Sequence, residues 1–121
     1  MNFRKKGEIG EDTAVQYLKS LKKNIIERNY YSPFGEIDII VEEAGTIVFI
    51  EVKYRESGRM GKPVEAVDFR KKKRIVLSAR HYMMKHPRLA EHNVRFDFIG
   101  IDTDRNPPVQ YIRGIIADNE F

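Results

Sequence analysis

Residues 36–53 read EIDIIVEEAGTIVFIEVK, two runs rich in Ile and Val on either side of Ala44-Gly45. Such runs favour strands and a short segment with glycine favours a tight turn, so the stretch predicts a β-hairpin. A turn centred on Ala44-Gly45 brings Asp38 directly opposite Glu51. Because side chains alternate along a strand, Lys53 shares the face of Glu51. Asp38, Glu51 and Lys53 therefore converge in this register, whereas a slip of one residue would separate them.

Apolar residues occupy both faces of the second predicted strand, residues 46–53, so the charges at its end need partners. Buried ionised groups are paired, bound to metal or neutralised. Carboxylates on a rigid sheet beside an ammonium group suit a hard cation and a phosphate. The alternative is a cross-strand ion pair at a solvated end of the sheet, and the short pattern of an Asp followed by Glu-x-Lys, taken alone, favours that alternative.

The composition predicts one globular domain. The chain has 121 residues, of which 41% are hydrophobic and 33% are charged. We expect loose termini at residues 1–6 and 117–121. No apolar run is long enough to span a bilayer and the N-terminus does not resemble a signal peptide, which predicts a cytoplasmic protein without membrane association. The absence of Cys excludes disulfides, thiolate zinc sites and cysteine nucleophiles, and three His argue against a histidine metal cluster.

Positive charge is concentrated just after the hairpin. The net charge is +4, and nine Lys or Arg but only three Asp or Glu lie between Lys53 and Arg74. A basic cluster beside a carboxylate site predicts a polyanionic partner, with nucleic acid first, and a solvated helix face is the alternative. Helical geometry puts Lys71 and Lys72 at the borders of an apolar inner face. The candidate nucleic-acid-binding residues are Arg55, Arg70, Lys71, Lys72, Lys73 and Arg74.

The whole chain predicts the order helix, three strands, helix, two strands. The predicted bounds are helices at 7–22 and 63–86, and strands at 24–31, 36–41, 46–53, 95–101 and 109–116, with a loop at 54–62. This order predicts an α/β fold with a central mixed sheet of about five strands flanked by helices. Glu11 lies close to the apolar stripe of the first helix, so it is the candidate for a third carboxylate. Glu36 shares the face of Asp38, so it is either an auxiliary ligand or, as we favour, a residue at the solvated end of the sheet. We expect Asp97 in a structural pair with a basic side chain.

Short motifs in this element order resemble the PD-(D/E)XK nuclease superfamily, which includes restriction endonucleases and archaeal Holliday junction resolvases. More closely, the chain resembles the YraN-like family of small bacterial proteins, which are predicted nucleases. The matching motifs are Gly7-x-x-Gly10-Glu11-x-x-Ala14, Arg28-Asn29, Gly35-Glu36-Ile37-Asp38, Phe49-Ile50-Glu51-Val52-Lys53-x-Arg55, Lys71 with Ala79, and Arg95-Phe96-Asp97. They cover nearly the whole chain from Gly7 to about Arg113, and their joint order is more specific than any one of them. Ile37 stands where the superfamily's motif name has Pro, and the carboxylate of Asp38 is kept.

The resemblance implies a single-domain restriction-endonuclease-like fold and a metal-dependent endonuclease acting on DNA, including branched or structured DNA. It implies that Asp38 and Glu51 bind Mg²⁺, with Mn²⁺ as an alternative, and that Glu11 assists from the first helix. Lys53 would orient or help to deprotonate the attacking water. DNA is a better candidate partner than RNA, and a homodimer is an open option. The alternative function is a nucleic-acid-binding module that keeps the nuclease fold with little catalysis of its own.

Overall fold

The computed structural model of the chain describes residues 6–55 and 67–117, and it confirms the predicted order of elements. The elements are α1 (Lys6–Ser20), β1 (Asn24–Ser32), β2 (Gly35–Glu43), β3 (Thr46–Arg55), α2 (Phe69–Lys85), a 3-10 turn (Pro87–Leu89), β4 (Asn93–Asp102) and β5 (Val109–Ile112). The five strands form one sheet in the order β1-β2-β3-β4-β5. Among the described strands, β3 and β4 run parallel and the other neighbouring pairs run antiparallel, so the predicted mixed sheet is confirmed. Within the described residues, no helix has the length and apolar character needed to cross a membrane.

The hairpin of β2 and β3 has the predicted register, with Glu43 opposite Thr46 and Ile39 opposite Ile50. Ala44 and Gly45 both have positive φ, at 45° and 79°. Two central residues of this kind make the primed hairpin turn whose twist matches that of the flanking strands. The turn therefore fixes the register on which the functional site depends.

In the part of the chain that the structure describes, each face of the sheet carries one helix and one layer of the hydrophobic core. The layer under α2 joins Ile40, Ile47 and Phe49 to helix residues that include Ile75 and Tyr82. The layer under α1 consists of the following buried residues: Ala14, Val15, Leu18, Ile39, Val41, Val48, Ile50, Ile99 and Ile101. The prediction that β3 is buried on both faces is confirmed, and this two-sided packing holds the central strand rigidly in place.

Two predicted boundaries around the basic segment were wrong. β3 continues to Arg55, because Tyr54 and Arg55 still pair with the long parallel strand β4. α2 begins at Phe69, six residues later than predicted, because Asp68 is its N-cap and accepts a hydrogen bond from the backbone N of Lys71 at 2.9 Å. Residues 56–66, which include Pro63 and most of the predicted loop, lie outside the described residues.

Two other elements also end earlier in the sequence than predicted. α1 ends at Ser20 and the chain turns at Lys22, whose φ is 59°. β5 ends at Ile112 because the chain turns at Gly114, with φ of 66°, and then places Ile116 in the core layer under α2. The prediction of loose termini mostly concerns residues 1–5 and 118–121, which lie outside the described residues.

Candidate metal centre beside a basic helix

Asp38 lies where β2 and β3 separate. Regular pairing of the two strands ends at Ile39 and Ile50, and beyond it Oδ2 of Asp38 accepts a hydrogen bond from the backbone N of Val52 at 2.8 Å. Strict alternation would put Ile37 and Ile39 on one face, yet Ile37 lies in the core layer under α2 and Ile39 in the layer under α1. The strand is therefore irregular at Asp38, and its carboxylate takes a hydrogen bond that a backbone carbonyl accepts in a regular ladder.

Three carboxylates meet at this irregularity. Glu11 from α1, Glu36 from the start of β2, and Asp38 each present an oxygen atom, and these atoms lie within 4.8 Å of one another. We call these residues the acidic triad. Glu36 is exposed, as predicted for the solvated end of the sheet, but its position also makes it a member of the triad.

Asn29 joins two members of the acidic triad. With its amide nitrogen oriented toward the carboxylates, Asn29 donates to Oε1 of Glu36 at 2.8 Å and to Glu11. Its φ of 51° lies in the left-handed region, which Asn adopts more readily than most residues. This backbone conformation in β1 lies beside the irregularity in β2, since Arg28 and Tyr30 pair with Ile39 and Ile37.

The close packing of α1 on β3 brings Glu11 to the sheet. A Cβ atom built on Gly10 would lie 2.7 Å from Cβ of Tyr54, a separation that side-chain atoms do not tolerate. Only glycine allows the helix to approach the strand so closely at this point. Gly10 therefore determines how close to the sheet the next residue, Glu11, lies.

A cavity of about 270 Å³ lies between the acidic triad and α2. Its lining residues are Gly35, Glu36, Asp38, Glu51, Val52, Lys53, Lys71, Arg74 and Ile75. The predicted convergence of Asp38, Glu51 and Lys53 is thus present in the structure. Nζ of Lys71 forms an ion pair with Oε2 of Glu51 at 3.2 Å, and the side chain of Glu51 is only 7% exposed.

Burial shifts the titration of these carboxyl groups. Burial raises the pKa of Asp38 to about 6, against a lowering effect of the Val52 N–H. Burial and then the charge of Asp38 raise the pKa of Glu51 to about 8, while Lys71 opposes the shift. Burial also raises the pKa of Glu36. All three shifts disfavour the ionised form, and burial is the largest cause of each.

The residues present fit a bound divalent cation. Carboxylate oxygens are the ligands that hard cations prefer, and a bound cation would favour the ionised form of carboxyl groups that burial disfavours. The acidic triad could bind a metal ion through Glu11, Glu36 and Asp38. The predicted ligand set was Asp38, Glu51 and Glu11. Glu51 lines the same cavity but faces Lys71, and the roles assigned to these residues stay predictions.

The predicted nucleic-acid-binding residues differ in their positions around the cavity. Lys71 and Arg74 line it. Lys71 and Lys72 are half-buried at the border of the inner face, as predicted, while Arg70 and Lys73 are exposed. Arg55 is half-buried at the end of β3, and its Nε has no hydrogen-bond partner among residues 6–55 and 67–117. α2 contains no acidic residue, so every Lys and Arg of this helix adds positive charge beside the cavity without an acidic residue of the same helix to offset it.

Asp97 has the structural role that was predicted for it. Asp97 is fully buried and accepts two hydrogen bonds from Nε of Arg95, at 2.9 and 3.1 Å. It also accepts from the hydroxyl of Tyr111 and from the backbone N of Gly114 at 3.0 Å. These contacts tie β4 to β5 and to the segment after it, so the network stabilises the edge of the sheet.

A five-stranded mixed sheet with one helix on each face is consistent with a restriction-endonuclease-like fold, and carboxylates and lysines meet where its central hairpin opens. Residues 10–101 match the family described as uncharacterised protein family UPF0102. The chain belongs to this family, which is the YraN-like family of predicted endonucleases in the restriction-endonuclease-like superfamily. The resemblance inferred from the motifs is thereby confirmed.

Relatives in several bacteria match most of the chain. The chain is similar to a UPF0102 protein of Persephonella marina, with 46% identity over 96 residues, covering 79% of this chain and 82% of the relative. For a UPF0102 protein of Clostridioides difficile the identity is 43% over 101 residues, covering 84% and 88%. For a UPF0102 protein of Fusobacterium nucleatum it is 38% over 120 residues, covering 99% and 98%. These names state the family and no specific activity.

Proposed function

We propose that the protein is a metal-dependent endonuclease that hydrolyses phosphodiester bonds in DNA. The observation that carries this proposal is the cavity in which Glu36, Asp38 and Glu51 face Lys53 and Lys71. Carboxylates that could hold a cation therefore lie beside ammonium groups that can bind a phosphate. Nucleophilic attack on a phosphodiester needs both charges, since the attacking water must be activated and the developing anion must be stabilised.

The acidic triad and Glu51 would hold the metal ion, with Mg²⁺ as the first candidate and Mn²⁺ as the alternative. The ion would polarise the phosphodiester and lower the pKa of bound water. Asn29 keeps Glu11 and Glu36 oriented, and the Val52 N–H does the same for Asp38. These hydrogen bonds fix the ligands before any substrate arrives, so little reorganisation is needed at the moment of reaction.

Lys53 lies on the same face of β3 as Glu51 and lines the cavity. Its ammonium group can orient the attacking water and stabilise the additional negative charge on the phosphate. In the reaction, the water oxygen forms a bond to phosphorus and the bond from phosphorus to the leaving sugar oxygen breaks. One proton leaves the water and one is taken up by the leaving oxygen, so the net reaction is hydrolysis.

The basic side of α2 supports a polyanionic substrate. Lys71 and Arg74 line the cavity, and the helix has no acidic residue to repel phosphates. Contacts of this kind position a nucleic acid without reading its sequence. The small domain leaves little room for a base-reading element, so we infer recognition of backbone and shape, including branched or structured DNA.

One observation favours a second function, a nucleic-acid-binding module without catalysis. Lys71 already provides Glu51 with a cation at 3.2 Å, so this carboxylate has a partner without a metal ion. In a protein that only binds DNA, this ion pair would not need a metal ion beside it. The two functions differ in whether metal-dependent cleavage accompanies binding.

Cleavage of labelled linear, single-stranded, flapped and four-way-junction DNAs tests the proposal. Wild type is compared with Asp38→Asn and Lys53→Met, with and without Mg²⁺ or Mn²⁺. Lys19→Met, at an exposed position of α1, is the control that matches the charge change of Lys53→Met. We expect wild type and the control to cleave only with metal, and both cavity variants to bind DNA without cleaving it. Binding by all four proteins with no cleavage would favour the binding module. Equal cleavage by Asp38→Asn would contradict the assignment of the site.

A further inference from the structure

An aromatic side chain is exposed beside the candidate site. Phe34 lies in the turn between β1 and β2, and it is 45% exposed. One edge of its ring packs against His81 of α2, with ring centroids 6.4 Å apart and an angle of 71° between the ring planes. Exposing so much of a phenyl ring is unfavourable, and neither the fold nor the proposed hydrolysis requires it.

Hydrogen bonds hold the turn that carries Phe34. Oγ of Ser32 accepts from the backbone N of Phe34 at 3.1 Å, and it lies 2.9 Å from both the carbonyl oxygen of Gly35 and Oγ of Ser78. The turn is therefore attached to α2 as well as to the hairpin. A ring held in this way loses little conformational entropy when it binds a ligand.

The turn is continuous with the cavity. Gly35 and Glu36, the next two residues, line the cavity together with Arg74. On α2, Arg74 and His81 lie two turns apart, or about 10 Å along the helix axis at 1.5 Å per residue. That separation corresponds to about three stacked nucleotides at 3.4 Å each. A strand whose phosphate lies near Arg74 can therefore place a nearby base at Phe34.

We infer that Phe34 stacks on an unpaired nucleobase, so that the substrate carries a single-stranded segment next to the bond that is cleaved. The inference rests on the proposed action on nucleic acid and specifies its substrate class. Base faces inside a duplex are already stacked, and inserting a side chain between two base pairs costs a few kcal/mol per base step. An unpaired base offers its face without that cost, and stacking on an aromatic ring tolerates any base sequence.

The charges around Phe34 favour a nucleic acid over an apolar protein partner. Arg74 is exposed on α2, and its Cβ lies 3.9 Å from the position of a Cβ atom built on Gly35, so a cation borders the turn that carries Phe34. A single strand matches an aromatic ring beside an exposed cation, since each nucleotide combines one base with one phosphate. The same combination of stacking and backbone charge is general in proteins that bind single strands.

Equilibrium binding in EDTA tests the inference without any cleavage. The probes are a blunt DNA duplex and the same duplex with a single-stranded tail that contains 2-aminopurine, whose fluorescence falls on stacking. Phe34→Ala is compared with wild type, with Phe34→Tyr as the conservative variant. Tyr31→Ala is the matched control, because Tyr31 is an aromatic residue of the same hairpin and is 72% exposed. The hydroxyl of Tyr30 forms a hydrogen bond with His81 of α2 at 2.6 Å. Since side chains alternate along a strand, Tyr31 projects from the other face of the sheet.

We expect Phe34→Ala to weaken binding of the tailed duplex by about fivefold to 100-fold, with blunt-duplex binding unchanged. Fluorescence quenching should be lost in Phe34→Ala and kept in Phe34→Tyr and Tyr31→Ala. Unchanged affinity and quenching in Phe34→Ala would overturn the inference, and so would an equal loss of affinity for the blunt duplex.

The outcomes for this inference and for the proposed endonuclease are separable. Tail binding that depends on Phe34, with no cleavage by wild type under any metal, would support stacking and reject the endonuclease. Metal-dependent cleavage with binding that is independent of Phe34 would reject stacking and keep the endonuclease. Circular dichroism of Phe34→Ala checks that the variant folds, as expected for a half-exposed turn residue.

Discussion

Replacing Glu51 by Gln should stabilise the protein in the absence of metal, although this residue lines the cavity of the candidate site. The side chain is 7% exposed, and burial together with the charge of Asp38 raises its pKa to about 8. Gln has nearly the same size and can still accept a hydrogen bond from Lys71. The substitution therefore removes the cost of ionising the carboxyl group while it keeps the packing.

The expected magnitude follows from the difference in pKa between the folded and unfolded chain. A carboxyl group with a raised pKa in the folded state keeps its proton there while the unfolded chain has lost it. The free energy of unfolding of wild type therefore falls as the pH rises from the ordinary value of 4.5 toward about 8. At about 1.4 kcal/mol per pKa unit, Glu51 lowers that free energy by on the order of 3 kcal/mol between pH 5 and pH 8.

Urea unfolding followed by circular dichroism at pH 5 and pH 8 measures this effect. We expect Glu51→Gln and wild type to differ little at pH 5, and the variant to be more stable by about 2–3 kcal/mol at pH 8. Glu91→Gln, at an exposed position, is the control and should show no such change with pH. A variant less stable than wild type at pH 8, or a difference that does not change with pH, would refute the reasoning.

Three further predictions concern residues that support the site or the sheet. Gly10→Ala forces a Cβ against Tyr54, so we expect a loss of about 1–3 kcal/mol in urea unfolding and weaker Mg²⁺ binding by calorimetry; unchanged Mg²⁺ binding would contradict the helix's positioning role. Asn29→Asp adds a fourth carboxylate to the acidic triad, so the melting temperature at pH 8 should fall without Mg²⁺ and rise more than that of wild type when Mg²⁺ is added. Arg95→Met leaves Asp97 buried without its cation, and urea unfolding should show a loss of about 3–5 kcal/mol, whereas a loss under 1 kcal/mol would mean that the pair contributes little.

The hairpin could be predicted from the sequence because two independent signals agree on its register. Alternation assigns faces to the strands, and the turn at Ala44-Gly45 fixes which residues are opposite each other. Asp38, Glu51 and Lys53 then converge without any tertiary information. The start of α2 is harder to predict, since Pro63 and Asp68 are both acceptable helix-start signals. Only the hydrogen bond that Asp68 accepts from the backbone N of Lys71 decides between them.

Membership of the acidic triad depends on a departure from regular structure that periodicity does not detect. Alternation alone puts Glu36 on the face of Asp38, but it cannot bring Glu11 of α1 to that face, because α1 covers the opposite side of the sheet. The structure brings them together where Asn29 has a left-handed backbone and Asp38 bonds to Val52 as the hairpin opens. Where the hairpin opens, carboxylates from both sides of the sheet therefore lie close together.

This geometry gives each helix a distinct contribution to one cavity. α1 approaches β3 through Gly10 and supplies a carboxylate, while α2 supplies Lys71, which pairs with Glu51. If the cavity binds a cation, that cation and Lys71 compete for the charge of Glu51, so metal binding should free the lysine for a phosphate. The ion pair of Lys71 with Glu51 favours a binding module in the metal-free protein, but a metal-dependent enzyme would break the same ion pair when it binds the cation. Only cleavage in the presence of metal therefore separates the two functions.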